Sequence, residues 1–245
     1  MTQFSEPLQA GSPARSNREY QSHLLAALQG ALAAGFCLGL PAGLLFWLLV
    51  YYQLAPSVPV YKVLTLVQDG FPQIAEIASI IGVVVWGILL GKISGYRQWW
   101  WLAAATIAGI FIGEWLLYDG WLDLVIQGHT QSLPVYVRFW MVLAGCVMIE
   151  TASTGLALGL VLRNWKAGLA LSAITMLVSV CAALITVVIL DRAGLRVGSG
   201  NAAMPKAAAA GTMSAAIAGG AVLGVLFRHY VRAKLSQTPP GGPDH

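Results

Sequence analysis

Three carboxylates, Glu76, Glu114 and Glu150, stand inside apolar runs of a 245-residue chain in which only 10% of the residues are charged. A charged side chain at membrane depth is costly, and it is retained where it binds, couples or pairs. Glu150 lies mid-run and is followed by Thr151, Ser153 and Thr154, whose hydroxyls can hydrogen-bond a carboxyl group. Glu76 holds the corresponding place in an earlier run, only a few residues inside it. Glu114 falls in the outer half of its run beside Trp115, Tyr118 and Asp119, where a water-reached interfacial carboxylate is the plainer reading. Glu150, Glu76, Ser153, Thr154 and Glu114 are therefore the candidates for an ion, proton or substrate site.

Two carboxylates that meet across a helix interface hold a proton or a cation between them, as coupling carboxylates do in secondary transporters. The bland alternative is a protonated carboxyl bonded to a backbone carbonyl or hydroxyl, serving helix contact alone. No Lys or Arg lies deep in any run as a countercharge, and only Arg138 approaches, from an outer helix end. That pattern favours a protonated acid or a cation ligand.

The elements that must position these residues follow from composition. The chain is 58% hydrophobic with a mean hydropathy of +0.72, against roughly 25% charged residues in a soluble domain. Apolar runs near the roughly 20 residues needed to cross a bilayer read at Leu24 to Val50, Ile74 to Leu90, Trp99 to Leu117, Val135 to Leu162, Ala167 to Leu190 and Ala207 to Phe227. The fold class expected is an all-α integral membrane protein of six transmembrane helices. The polar first 22 residues, followed by an apolar run too long for a signal-peptide core, predict an uncleaved tail.

Nine Lys and Arg, including Lys92, Arg97, Arg163, Lys166, Arg228, Arg232 and Lys234, fall on one side of this layout and five on the other. Positive charge marks the cytoplasmic side, so both termini are expected there. Tyr51, Tyr52, Trp121 and Trp140 on one side, and Trp99, Trp100 and Trp101 on the other, fit interfacial belts. The net charge of +4 then needs no nucleic-acid partner.

The layout is duplicated. Ser57, Pro59, Val60 and Tyr61 recur 75 positions later as Ser132, Pro134, Val135 and Tyr136. At a spacing of 74, Glu76, Ala78 and Ser79 recur as Glu150, Ala152 and Ser153, and Ala34, Gly35, Gly39 and Trp47 as Ala108, Gly109, Gly113 and Trp121. A fainter third copy shows in the Gly-led ends of the even helices, at Gly87, Gly159 and Gly224. These matches predict three tandem two-helix hairpins, at 23–97, 98–166 and a degenerate 167–235, between disordered tails 1–22 and 236–245. Within the repeated motif, proline excludes helix from the residue before it and suits the first turn after it. Pro59 and Pro134 thus start returning helices, with Tyr61 and Tyr136 anchoring them at headgroup level.

Small residues supply the helix contacts. Gly35, Gly39 and Gly43 form one face, Gly87, Gly91 and Gly95 another, and Gly109/Gly113, Gly155/Gly159 and Gly220/Gly224 add pairs that allow close backbone approach. Pro41 should kink the first helix. The basic stretch from Phe227 to Leu235 reads as a segment riding on an anionic inner leaflet.

Other chemistries find no support. His23, His129, His229 and His245 all lie at run ends, in loops or in tails, against bis-histidine haem. Cys37, Cys146 and Cys181 lack paired spacing and read as packing residues. No phosphate-cradling loop or hydrolase motif occurs, so an enzyme is the least supported class and no cofactor or metal is expected. Two readings stand: a cell-membrane permease for a small solute or ion using an intramembrane carboxylate, and a non-catalytic subunit or assembly factor of a larger membrane complex. Besides the bilayer, the partners they leave open are other membrane subunits or further copies of the chain.

Overall fold

A computed structural model describes residues 13–44, 47, 71–116, 120–121, 123–126, 132–195 and 203–236. Among the described residues every regular element is helical. α1 (Pro13–Ala34) runs on through a π-helical turn (Gly35–Gly39) to residue 44. α2 (Phe71–Ser94), α3 (Trp99–Leu116), α4 (Val135–Val161), α5 (Trp165–Leu190) and α6 (Ala203–Ser236) follow, with a single turn at Asp123–Ile126 before α4. Four segments are long and apolar enough to cross a membrane: Tyr20–Leu44, Tyr136–Val161, Trp165–Gly194 and Ala203–Ser236. The apolar parts of α2 and α3 are shorter, Ile80–Ser94 and Trp99–Gly113.

The outer surface differs from that of a soluble bundle, whose exposed faces are polar: apolar side chains fill the interior and also cover the outside. Leu24, Leu28, Leu32, Phe36, Leu40 and Leu44 recur every four residues along α1 and are exposed, as are Leu177, Ile185 and Ile189 on α5. The hydroxyl residues Thr106, Thr154, Ser172, Thr175, Ser179 and Thr212 are buried. In length, composition and outer surface these are the helices of a multi-span membrane protein.

Each long helix packs on the next in sequence, and α6 packs back on α1, so the six form a closed ring; α6 also reaches α2 and α4. The contacts are backbone-close. Gly30 on α1 meets Gly220 and Gly224 on α6, and Gly39 and Gly43 meet Met213, Ala216 and Ala209 of the same helix. Gly35 lies against Ile217. On α2, Gly87 and Gly91 sit against Ala103 and Trp99 of α3, while Gly109 and Gly113 of α3 sit against Ser153 and Thr154 of α4. Gly155 and Gly159 of α4 oppose Ser172 and Gly168 of α5.

Gly95 departs from the expectation that grouped it with Gly87 and Gly91. It has φ +76 and no atom of a neighbour within 4 Å of where a Cβ would stand. The Tyr96 N–H donates to the Gly91 carbonyl at 3.0 Å, so Gly95 is the left-handed residue that terminates α2. The α4–α5 turn closes the same way through Arg163, at φ 51, with Asn164 N–H bonded to the Gly159 carbonyl. The Asn164 side chain then accepts from Ala167 N–H and caps α5. At the other end of α4, Pro134 occupies the N-cap and its carbonyl accepts from Val137 and Arg138.

Two further expectations change. Residues 13–22, assigned to a disordered tail, are helical and continuous with α1. The segment from Phe227 to Leu235 forms the closing turns of α6, with Phe227 and Val231 buried in the protein and Leu235 exposed, so helices cover most of its apolar face. Tyr96 meets Phe227 edge to face at 6.2 Å, Arg228 Nη1 donates to the Ser22 carbonyl at 2.8 Å, and Lys234 Nζ donates to the Leu162 carbonyl at 3.2 Å. These contacts tie together the end of the ring that carries the basic turns. Ser57, Pro59 and Tyr61, the first copy of the repeated motif, lie outside the described residues; in the second copy Ser132 and Tyr136 are exposed.

Candidate functional site: a cavity inside the ring

A cavity of about 130 Å³ lies inside the ring and takes lining from all six helices. Its walls are mostly apolar: Ala34, Cys37, Leu38 and Pro41 from α1, Val83 from α2, Ile110 from α3, and Ala215 and Leu223 from α6. Against these stand Glu150, Thr151 and Thr154 of α4, Thr175 and Ser179 of α5, Thr212 of α6 and Trp86 of α2. Two apolar clusters flank it. Toward the basic end Trp86, Leu90, Leu102, Leu158, Leu171 and Phe227 pack together; toward the opposite end Phe139, Val142, Leu143, Val147, Val187 and Met204 do so.

Most of the hydroxyls have committed their protons. Thr151 Oγ1 donates to the Val147 carbonyl at 2.6 Å and Thr212 Oγ1 to the Ala208 carbonyl at 2.8 Å, the back-bond to the preceding turn that keeps a hydroxyl inside an apolar helix. Ser179 Oγ donates across to the Ala215 carbonyl of α6 at 3.1 Å. These oxygens retain lone pairs and can only accept more.

Four side-chain polar atoms are buried without a partner among the described residues, on His23, Trp86, Arg138 and Thr175; Trp86 Nε1 and Thr175 Oγ1 sit on residues with 0% and 1% of their surface exposed. Each such group costs about 1–3 kcal/mol when left unsatisfied. Trp86 and Thr175 both line the cavity.

The wall contributed by α1 is irregular for a definable reason. Pro41 has no N–H to give the Cys37 carbonyl four residues earlier. The helix responds with the π-turn, in which Leu40 N–H bonds the Gly35 carbonyl. The Cys37 carbonyl turns onto Gly82 of α2, where any Cβ would collide with it. Such π-turns inside α-helices recur at functional sites, and this one carries Cys37 and Leu38 to the cavity wall.

Of the candidates read from sequence, Glu150 and Thr154 reach the cavity together. Ser153 faces elsewhere: its hydroxyl donates to the Glu150 carbonyl at 3.1 Å and lies against Gly113 of α3. Glu76 and Glu114 are within α2 and α3, and their side chains lie outside what is described. Sequence reasoning missed Trp86, Thr175, Ser179 and Thr212. A signal for part of this set exists, since Ser172, Thr175 and Ser179 are spaced three and four apart and share one face of α5. Trp86 is signalled by its position in the middle of an apolar run, where interfacial anchoring does not apply. Arg138 lies nearer the start of α4, with its Nε buried and unpartnered. Among the described residues no group of three or more His, Cys, Asp or Glu is placed to hold a metal.

The chain matches no protein family, and no characterised protein and no solved structure shows significant similarity to it.

Proposed function

We propose that the chain is a small-solute or ion permease of the cell membrane, with α1 to α6 as six spans, the basic end cytoplasmic, and Glu150 as the carboxylate of a central substrate site. One observation carries this reading: a cavity reached by every helix of the ring, with a carboxylate and hydroxyls on an otherwise apolar wall and an apolar cluster toward each end. Transporter sites near the midplane, between repeated units and beside a broken helix, have this character. The cyclic helix order is compatible with three hairpins, α1–α2, α3–α4 and α5–α6, about an axis along the membrane normal. The subunit reading relies on small-residue faces that could dock a partner, yet the glycines of those faces are occupied by contacts within the chain.

The test is flux. Purified protein in liposomes, mounted on a sensor-supported bilayer, is presented with sodium, potassium and proton gradients and with amines, neutral amino acids, sugars and carboxylates in turn. At least one solute should move faster than in empty liposomes, and Glu150→Gln should cut that flux by tenfold or more while Asp191→Asn leaves it unchanged. Silence toward every solute from monodisperse protein, or flux indifferent to Glu150→Gln, overturns the proposal.

A further inference from the structure

We infer that the central cavity binds a small organic ammonium ion that also carries a hydrogen-bond acceptor, the chemistry of an amino alcohol. The inference rests on the permease reading for its biological use and on the cavity alone for its chemistry.

The described lining has one ionisable acid, Glu150, and no Lys or Arg. Among the described lining residues an anion would meet the Glu150 carboxyl group and no Lys or Arg, so a cationic ligand fits this lining better than a phosphate or a carboxylate. The remaining polar lining is biased in the same direction. Thr151, Ser179 and Thr212 have each given their proton to a backbone carbonyl, at 2.6, 3.1 and 2.8 Å, and present only lone pairs. A ligand rich in donors matches that surface, and a protonated amine supplies two or three donors and a positive charge at one point.

The two unpartnered groups of the lining define the rest of the ligand. Trp86 Nε1 can only donate, so it calls for an acceptor on the ligand; Thr175 Oγ1 can donate or accept and serves either end. A bare sodium ion fits less well. At about 130 Å³ the cavity exceeds what one dehydrated ion fills, and the greater part of its wall is apolar, facing carbon in the ligand better than a hydration shell.

Isothermal titration of the full chain in detergent with ethanolamine, ethylamine, acetate and sodium, each at matched ionic strength, tests the assignment. Ethanolamine should bind, ethylamine about tenfold more weakly, and acetate not at all. Glu150→Gln should weaken both amines tenfold or more. Trp86→Phe, which keeps an aromatic side chain and removes the N–H, should bring ethanolamine down to ethylamine. Equal binding of ethanolamine and acetate, binding of sodium alone, no binding of either amine at 50 mM, or an ethanolamine preference that survives Trp86→Phe would each overturn it. If Glu150→Gln does not fold, the Trp86→Phe comparison decides. Amine binding without flux leaves this assignment standing and removes the permease; flux of another solute class without amine binding does the opposite.

Discussion

Gly155→Ala should destabilise the chain more than any comparably small change at an exposed glycine, because α4 and α5 touch there through backbone. A Cβ at position 155 would stand 2.5 Å from Ser172 Cα and 2.6 Å from Ser172 N. Carbon atoms settle about 3.5–4.0 Å apart, so the two helices must separate by roughly 1 Å. That movement carries the Ser172 Oγ to Ala152 carbonyl bond from 2.9 Å out of hydrogen-bonding range, a loss of about 0.6 kcal/mol by the average for interhelical bonds in membranes. Overpacking contributes about 1–3 kcal/mol more, and a total of about 2–4 kcal/mol is expected. Reversible unfolding in mixed detergent micelles reads this directly. Gly95→Ala is the comparison: its Cβ meets nothing, and only the left-handed backbone resists, for about 1–2 kcal/mol. A Gly155→Ala chain within about 0.5 kcal/mol of the parent would show that the helices are not in contact as described.

Two other perturbations follow from the turns and the charge distribution. Arg163→Gly should stabilise the chain by about 1 kcal/mol, since a non-glycine residue holds φ 51 there, whereas Asn164→Ala should cost about 1 kcal/mol by removing the cap on Ala167 N–H; the same unfolding assay must give opposite signs. With the three native cysteines replaced by alanine, Arg97→Cys should resist a membrane-impermeant maleimide in intact cells and Ser132→Cys should react, and the reverse pattern would invert the proposed orientation.

The long helices were legible because apolar length is a strong signal: the starts of α3 at Trp99 and α4 at Val135 follow from the sequence, as does the irregularity at Pro41. Their ends were less so. The helix at Pro13 begins in polar sequence, where hydropathy is blind, and Phe227 to Leu235 reads as a surface segment until the partners of Phe227 and Val231 are known. Gly95 misled because glycine serves both close packing and left-handed termination, and only the backbone angle distinguishes them. For the cavity, Glu150 was visible because intramembrane charge is rare. Thr175 and Thr212 were not, because a hydroxyl can hide in a helix by bonding its own backbone, so its presence in an apolar run costs little and signals little. Which hydroxyls have given up their proton is a fact of tertiary structure.

The contact between Gly30 and Gly220 gives the ring a time of completion. These residues are 190 positions apart, an interval that synthesis at about 5–20 residues per second crosses in roughly 10–40 s. Until α6 emerges, α1 has no partner along its glycine face, and the groups that later line the cavity stand in an open crescent. The cavity is therefore a late product of biosynthesis. A chain interrupted after α5 would present Glu150 and the α5 hydroxyls on an unfinished edge, without the α6 wall that encloses them in the finished ring.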